Sequence, residues 1–252
     1  MRLYLSVLLL LISELLVAQH TFSIVAVDSV TGEIGSAGAT CGDSIIWPGT
    51  PGALIISDIL PGIGAIHTQA SYNRFNQEAA RQQMEAGNTP QEIIDYMSKS
   101  INDVSGNPSI RQYGIVSYNN GSPQSAAFTG TNTLDYKAHI TGPNYAIQGN
   151  ILSGQEILDS MEVRFKRTGG CLSDKLMAAL EGAKMPGADS RCLEEGTSSL
   201  SAFLRVAKPD DEDSDLYLDL NIAGTAEGVE PIDELKKRYE NWKENNDHNC
   251  LV

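Results

Sequence analysis

Short apolar runs separated by turn-forming residues recur along this chain. Residues 22–27, with the sequence FSIVAV, are rich in β-branched side chains, which pack well on the pleated surface of a strand. The sequence NNGS at residues 119–122 lies between two such runs and is a strong signal for a hairpin turn. The same reasoning predicts further strands over residues 33–40, 53–57, 62–69, 112–118, 125–128, 145–148, 199–206 and 216–222.

Apolar residues at helical spacing predict helices among these strands. The sequence TPQE at residues 89–92 has the form of a capping box, in which Thr89 and Glu92 satisfy the first free N–H groups of a helix. The sequence SGQE at residues 153–156 has the same form. The predicted helices cover residues 76–86, the segments that follow these two boxes, residues 173–180 and residues 231–242.

Strands at both ends of the chain with helices grouped between them predict an α+β fold whose sheets are mostly antiparallel. No linker-like segment divides the chain, so we expect one domain over residues 20–244. A polar tail over residues 245–252 follows it.

The first 19 residues have the form of a secretory signal peptide. Arg2 gives a positive start, a short leucine-rich stretch follows, and the small residue Ala18 lies near the exit. That stretch contains Glu14 and is too short to span a membrane, and no second stretch approaches the required length. We therefore expect a secreted or periplasmic protein that has no membrane partner once the signal is removed.

The charge balance limits the partners. The net charge is −14, which disfavours nucleic acid and anionic lipid because their phosphates would be repelled. Acidic residues are concentrated at 209–215, and this run is more typical of a solvated loop than of a calcium site, because it lacks the spacing and the glycine of an EF-hand. A small-molecule ligand is the expected partner, and a homo-oligomer is left open.

Export would permit disulfide bonds. The chain has Cys41, Cys171, Cys192 and Cys250, and their spacing matches no zinc motif, so no metal site is expected. Sequence cannot select a pairing among four cysteines. We expect one bridge among the first three, with Cys171–Cys192 slightly favoured because it closes a short loop; Cys250 lies in the polar tail.

Candidate chemistry is concentrated at strand ends. The chain has no glycine-rich phosphate loop, zinc-binding helix or GxSxG elbow, and His67 is more typical of a structural histidine than of a base. Amide, hydroxyl and charged side chains at strand ends can instead bind a small polar ligand, although each could also serve as a cap or turn residue. The candidates are Thr68, Gln69, Gln112, Gln148, Asn150, Asp189 and Arg191.

Several segments, in order, resemble the domain-of-unknown-function 1028 family. The resemblance covers residues 21–242, nearly all of the predicted domain. The segments are TFSIVA (21–26), GIGAIHTQA (62–70), RQYGIV (111–116), AAFTG (126–130), GPNYAIQGN (142–150) and DLYLDL (215–220).

That family is similar in fold to the N-terminal-nucleophile (Ntn) hydrolases. The resemblance implies a four-layer αββα sandwich of two antiparallel sheets, and a hydrolase of a small amide or other C–N bond that needs no cofactor. Thr21 is then the expected catalytic residue: its hydroxyl attacks a carbonyl while its own α-amine takes the proton. Cleavage after Ala18 or Gln19 would leave His20 ahead of Thr21, so a non-catalytic small-ligand-binding protein or a structural module on the same scaffold is left open.

Overall fold

The protein's structure is a computed structural model that describes residues 18–19, 21–44, 48–119 and 121–246. Most of the predicted signal peptide and residues 247–252 of the predicted tail lie outside the described residues. The strands are β1 (Ala18–Gln19), β2 (Thr21–Val27), β3 (Ile34–Thr40), β4 (Ser57–Leu60), β5 (Gly64–Ser71), β6 (Arg111–Asn119), β7 (Ser122–Thr129), β8 (Ala138–Gly142), β9 (Tyr145–Gly149), β10 (Ser201–Ala207) and β11 (Leu218–Ile222). The α-helices are α1 (Arg74–Glu85), α2 (Pro90–Met97), α3 (Glu156–Arg167), α4 (Leu172–Gly182) and α5 (Pro231–Asn245).

The strands form two antiparallel sheets. In the first sheet the order is β1-β5-β6-β7, with β4 pairing to the same strand β5. In the second sheet the order is β11-β10-β3-β2-β9-β8. The prediction of a mixed α+β fold with antiparallel sheets is therefore confirmed. Among the described residues, no helix is both long enough and apolar enough to cross a membrane.

One face of each sheet is covered by helices. Phe22 and Ile24 of β2 belong to an apolar cluster with Leu158 of α3 and Leu176 of α4. On the first sheet, Ile66 of β5 belongs to a cluster with residues of α1 and α2. Helix α5 contacts β10 and β11. These faces follow from the strand alternation, since every second side chain points to the same side of a sheet.

The remaining face of each sheet is directed toward the other sheet. Val25 of β2, Ala65 of β5 and Val116 of β6 belong to one buried cluster. In the first half of β2, the positions that face the other sheet are occupied by the polar residues Thr21 and Ser23. The space between the sheets is therefore apolar at one end and polar at the other, and the polar end contains the candidate site.

Two local predictions were wrong. Residues 53–57 lie mostly in a 3₁₀ helix, Gly52–Ile56, and β4 begins only at Ser57. A short apolar run does not distinguish a strand from a helical turn, and Gly52 has a φ of +66° that directs the chain away from an extended path. The second capping box does not form: α3 begins at Glu156, and the N–H of Ser153 donates to the carbonyl of Ala188 instead.

The favoured disulfide was also wrong. Cys192 is bonded to Cys41, which is 151 residues away in sequence, with a Cα–Cα distance of 5.7 Å. Cys171 lies at the N-cap of α4 and is itself disulfide-bonded, so it is not free. The prediction was based on loop length, but a contact distant in sequence decides the pairing. Asp189 accepts a hydrogen bond from the N–H of Cys41 at 2.8 Å, and this contact holds the segment that contains Cys192 at the end of β3.

Candidate functional site

Thr21 opens β2 and is completely buried. It pairs across the second sheet with Thr40, the last residue of β3. Its Oγ1 is buried and has no hydrogen-bond partner among the residues that the structure describes. A buried hydroxyl without a partner is unfavourable, so such a group in a folded protein calls for an explanation.

The main chain of Thr21 is held from two sides. Its carbonyl oxygen accepts from the backbone N–H of Asn150 at 3.1 Å and from Nε2 of Gln69 at 3.2 Å. Gln69 belongs to β5 of the first sheet, whereas Asn150 follows β9 of the second sheet. Both sheets therefore fix the position of this threonine.

Gln112 of β6 connects these two residues. Its Oε1 accepts from Nε2 of Gln69 at 2.7 Å and from Nδ2 of Asn150 at 3.1 Å. Its Nε2 donates to the carbonyl of Gly149 at 2.9 Å and to Oγ1 of Thr129 at 2.9 Å. Both the oxygen and the nitrogen of the Gln112 side-chain amide are thus engaged within the protein, which indicates that Gln112 positions Gln69 and Asn150.

A second chain of hydrogen bonds runs deeper between the sheets. Gln148 donates from Nε2 to Oγ of Ser23 at 2.7 Å, and the Ser23 hydroxyl donates to Oε1 of Gln69 at 2.6 Å. The same Nε2 donates to Nδ1 of His67 at 3.1 Å. Since that ring nitrogen accepts, Nε2 of His67 carries the proton and donates to Oγ of Ser36 at 2.5 Å.

His67 is buried and neutral in this environment. Burial, with a smaller effect from the positive charge of Arg205, lowers its pKa to about 3. Its ring also makes an edge contact with Phe203, at 5.8 Å between centroids. The prediction that His67 is structural agrees with these contacts.

The buried Asp189 and the partly exposed Arg191 form an ion pair at the edge of the polar region. The carboxylate of Asp189 accepts from Nε of Arg191 at 3.0 Å and from Nη2 at 2.7 Å, so the pair is bidentate. Nη2 of Arg191 also donates to Oγ1 of Thr40, at 3.3 Å. The guanidinium is therefore adjacent to the Thr21–Thr40 strand pair, as well as to the disulfide of Cys41.

A cavity of about 220 Å³ borders Asn150, whose backbone N–H binds the carbonyl of Thr21, but Thr21 itself is not part of the cavity wall. Asn150, Ala70 and Ser71 form part of its wall, together with Ile110 and residues 132–134. Ala70 and Ile151 have φ values of +68° and +52°, a left-handed backbone that is uncommon for residues other than glycine. Each directly follows a residue of the network, Gln69 or Asn150, and backbone strain of this kind is often concentrated at functional sites.

Comparison with known proteins identifies the family. Residues 21–235 match the model of a family described as "Family of unknown function (DUF1028)". The chain belongs to the DUF1028 family. No curated protein matches this chain.

A solved DUF1028 structure has the same fold. The crystal structure of protein SPO2555 from Silicibacter pomeroyi, a protein of the DUF1028 family, is similar with a TM-score of 0.68. The sequences are 25% identical, and the match covers 88% of each chain.

In this DUF1028 protein the predicted site residues fall into three groups. Gln69, Gln112 and Asn150 are connected to Thr21, and Gln148 reaches them through Ser23. The Asp189–Arg191 pair approaches Thr21 through its strand partner Thr40. Thr68 is separate, because the alternation of β5 directs it to the helix-covered face together with Ile66.

Sequence reasoning missed several residues of this DUF1028 site. Ser23, Ser36 and Thr40 lie on strands where small polar side chains alternate with apolar ones. This alternation predicts a strand but does not by itself indicate a polar site. Gly114 was missed as well, although its lack of a side chain makes room for Gln148. Within the described part of the chain, no group of three His, Cys, Asp or Glu residues is placed to hold a metal ion.

Proposed function

We propose that this protein hydrolyses a small amide or a related C–N bond, with Thr21 as an N-terminal nucleophile. The observation that carries the proposal is the Thr21 hydroxyl, which is fully buried and without a partner while both sheets hold the carbonyl of the same residue. A nucleophile benefits from this arrangement because it is fixed in position without being engaged by a competing hydrogen bond.

We also propose the four-layer αββα arrangement of the Ntn hydrolases as the architecture. Helices α1 and α2 pack with one sheet, α3 and α4 pack with the other, and a buried cluster that includes Val25 and Val116 lies between the sheets. The packing supports this layering, and it would direct the first residue of β2 into the space between the two sheets.

The proposed reaction needs Thr21 to be the first residue of the chain. A free α-amine has a pKa of roughly 7.7–8, so a substantial fraction is neutral near pH 7.5 and can accept the hydroxyl proton. Oγ1 then attacks the carbonyl carbon, the proton passes to the departing amine, and water hydrolyses the resulting ester. Asn150 contacts the substrate in this scheme, and Arg191, held by Asp189, orients a polar or negatively charged group.

Processing is therefore part of the proposal. Gln19, the last residue of β1, lies two residues ahead of Thr21, and while His20 remains attached, the nitrogen of Thr21 is an amide that cannot act as a base. We propose that the protein is exported by the signal over residues 1–19 and then trimmed to Thr21. The Cys41–Cys192 bond is compatible with an oxidising compartment.

A non-catalytic ligand-binding protein is the second candidate. The pairing of β1 with β5 favours it, because a chain that keeps those residues leaves Thr21 without a free amine. The cavity beside Asn150 would then bind a small ligand without turning it over.

The intact mass of the exported protein, followed by a screen of amides, lactams and short peptides, separates these candidates. We expect a mass that begins at Thr21, turnover that Thr21→Ala abolishes without unfolding the protein, and partial activity for Thr21→Ser, which keeps a hydroxyl. A chain that retains His20 and shows saturable binding without turnover would favour the second candidate. Full activity of the Thr21→Ala variant would refute the proposal.

A further inference from the structure

Two residues ahead of Thr21, Ala18 and Gln19, occupy the edge of the first sheet. Ala18 and Gln19 form β1, which pairs antiparallel with β5 through Ala18–Ser71 and Gln19–Ala70. The next strand, β2, belongs to the second sheet, so the chain crosses from one sheet to the other immediately before Thr21.

This edge is available only over a short stretch of β5. On one side of β5, β4 pairs with the four residues from Gly64 to His67 and does not extend beyond His67. On the opposite side, β6 pairs with β5 along most of its length. The last residues of β5 are therefore left for β1. An edge of this kind binds extended segments through main-chain hydrogen bonds, a common mode of peptide recognition.

The same two residues of β5 belong to the wall of the cavity. Ala70 and Ser71 line it together with Asn150, and Asn150 also binds the carbonyl of Thr21. A strand on this edge would thus run beside the cavity and beside the proposed nucleophile. None of the described residues that line the cavity carries a charge, which suits a small neutral group.

The edge is supported by a buried ion pair. The carboxylate of Asp103 accepts from Nε of Arg111 at 2.8 Å, and both side chains are almost completely buried. Nη1 of Arg111 donates to the carbonyl of Ser71. Burial by itself would raise the pKa of Asp103, but the hydrogen bonds from Arg111, Ser105 and Asn76 outweigh it and keep the carboxylate ionised. A rigid edge of this kind is pre-organised for binding.

We infer that the β5 edge at Ala70–Ser71 is a binding site for an extended peptide whose small neutral side chain enters the adjacent cavity, and that β1 occupies this site until it is removed. The inference rests on the proposed function in naming the substrate as peptide-like. It also gives β1 an autoinhibitory role, because β1 blocks the edge, and the chain that retains it keeps His20 bonded to the nitrogen of Thr21.

The peptide that corresponds to residues 17–20, acetyl-Val-Ala-Gln-His-amide, is the probe. It is titrated calorimetrically into a chain released from a fusion partner so that it begins at Thr21. That chain retains β2 to β11 and all five helices, and the family match begins at the same residue. Circular dichroism and a thermal melt check that it is folded.

We expect saturable binding to the Thr21 chain, weaker by more than about tenfold for a chain that begins at Val17 and keeps β1. A peptide methylated on the nitrogens of its Ala and Gln residues should lose binding to a similar extent, because it keeps the side chains but lacks the main-chain donors. Absence of saturable binding, or equal affinity for the Val17 chain, would overturn the inference.

The cavity is tested with Leu134→Trp, which adds bulk at an exposed position of its wall. Ile101→Trp is the matched control, since Ile101 is even more exposed and is not part of that wall. Weaker peptide binding for the first variant alone supports the cavity, and equal effects of both variants contradict it. All of these experiments measure binding and not turnover. Peptide binding without amide hydrolysis would contradict the proposed function only, and hydrolysis without peptide binding would contradict this inference only.

Discussion

Gly114 of β6 leaves room for the side chain of Gln148: a β-carbon on Gly114 would lie 1.9 Å from Oε1 of the glutamine. Gln148 in turn connects His67 to Ser23, so one missing side chain on the first sheet permits the polar network between the sheets.

Gly114→Ala should therefore destabilise the protein by about 1–3 kcal/mol, because the added methyl group overpacks a buried site. Denaturation in urea measures the effect. Gly169→Ala is the control, since no described residue other than its two chain neighbours lies within 4 Å of a β-carbon there, and its effect should remain within about 0.5 kcal/mol. Adding Gln148→Ala to Gly114→Ala should cost less than the sum of the two single variants, and strict additivity would show that the two residues do not compete for space.

Asp189→Ala should lower the free energy of unfolding by about 1–3 kcal/mol, because it removes a buried carboxylate that Arg191 and the N–H of Cys41 share and leaves that N–H without its acceptor. Asp189→Asn should cost less, since its amide oxygen can still accept from Cys41. Urea denaturation of both variants provides the measurement. An alanine variant as stable as the wild type would contradict this account of the loop.

Replacement of both Cys41 and Cys192 by serine should lower stability by about 2–5 kcal/mol, because the bond closes a very long loop. Peptide mapping without reduction should recover the Cys41 and Cys192 peptides joined together. Recovery of a Cys171–Cys192 peptide would contradict the structure.

His67 should make stability depend on pH. Its pKa is about 3 in the folded protein and 6.5 as the ordinary value, so the unfolded chain binds more protons between these limits. The contribution of neutral His67 to the free energy of unfolding is complete above pH 6.5 and is lost as the pH falls toward 3. Over this range the free energy of unfolding should fall by up to about 1.4 kcal/mol per pH unit.

The test compares the wild type with His67→Gln in urea at several pH values between 4 and 7. The wild type should lose stability faster than the variant as the pH falls. His139→Gln serves as the control, because His139 is an exposed residue of β8 whereas His67 is completely buried. Parallel curves for the wild type and His67→Gln would show that His67 does not titrate in this way.

The sequence predicts local structure well where a local signal determines it. The box at Thr89 forms as expected, with Glu92 returning to the N–H of Thr89, and the hairpin between β6 and β7 pairs through Asn119–Ser122. β8 was missed because its residues alternate weakly and gain their burial from β9. Its assignment as a strand depends on the partner more than on its own sequence.

The candidate site was only partly predictable. Amides at strand ends indicated Gln69, Gln112 and Asn150, because polar side chains placed where strands end are suited to bind a small polar ligand. Sequence could not show that Thr68 faces the helices while Gln69 faces the other sheet, since this depends on register. It also could not show the pairing of Cys41 with Cys192, which depends on a loop folding back over a separation of 151 residues.

The central claim is that a free amine at Thr21 activates its own hydroxyl. The most direct measurement is the release of p-nitroaniline from a panel of aminoacyl and peptidyl p-nitroanilides by two chains that differ by one residue, beginning at Thr21 or at His20. The account predicts turnover by the first chain and none by the second, with Thr21→Ala in the shorter chain also inactive. Equal turnover by the chain that begins at His20 would contradict it.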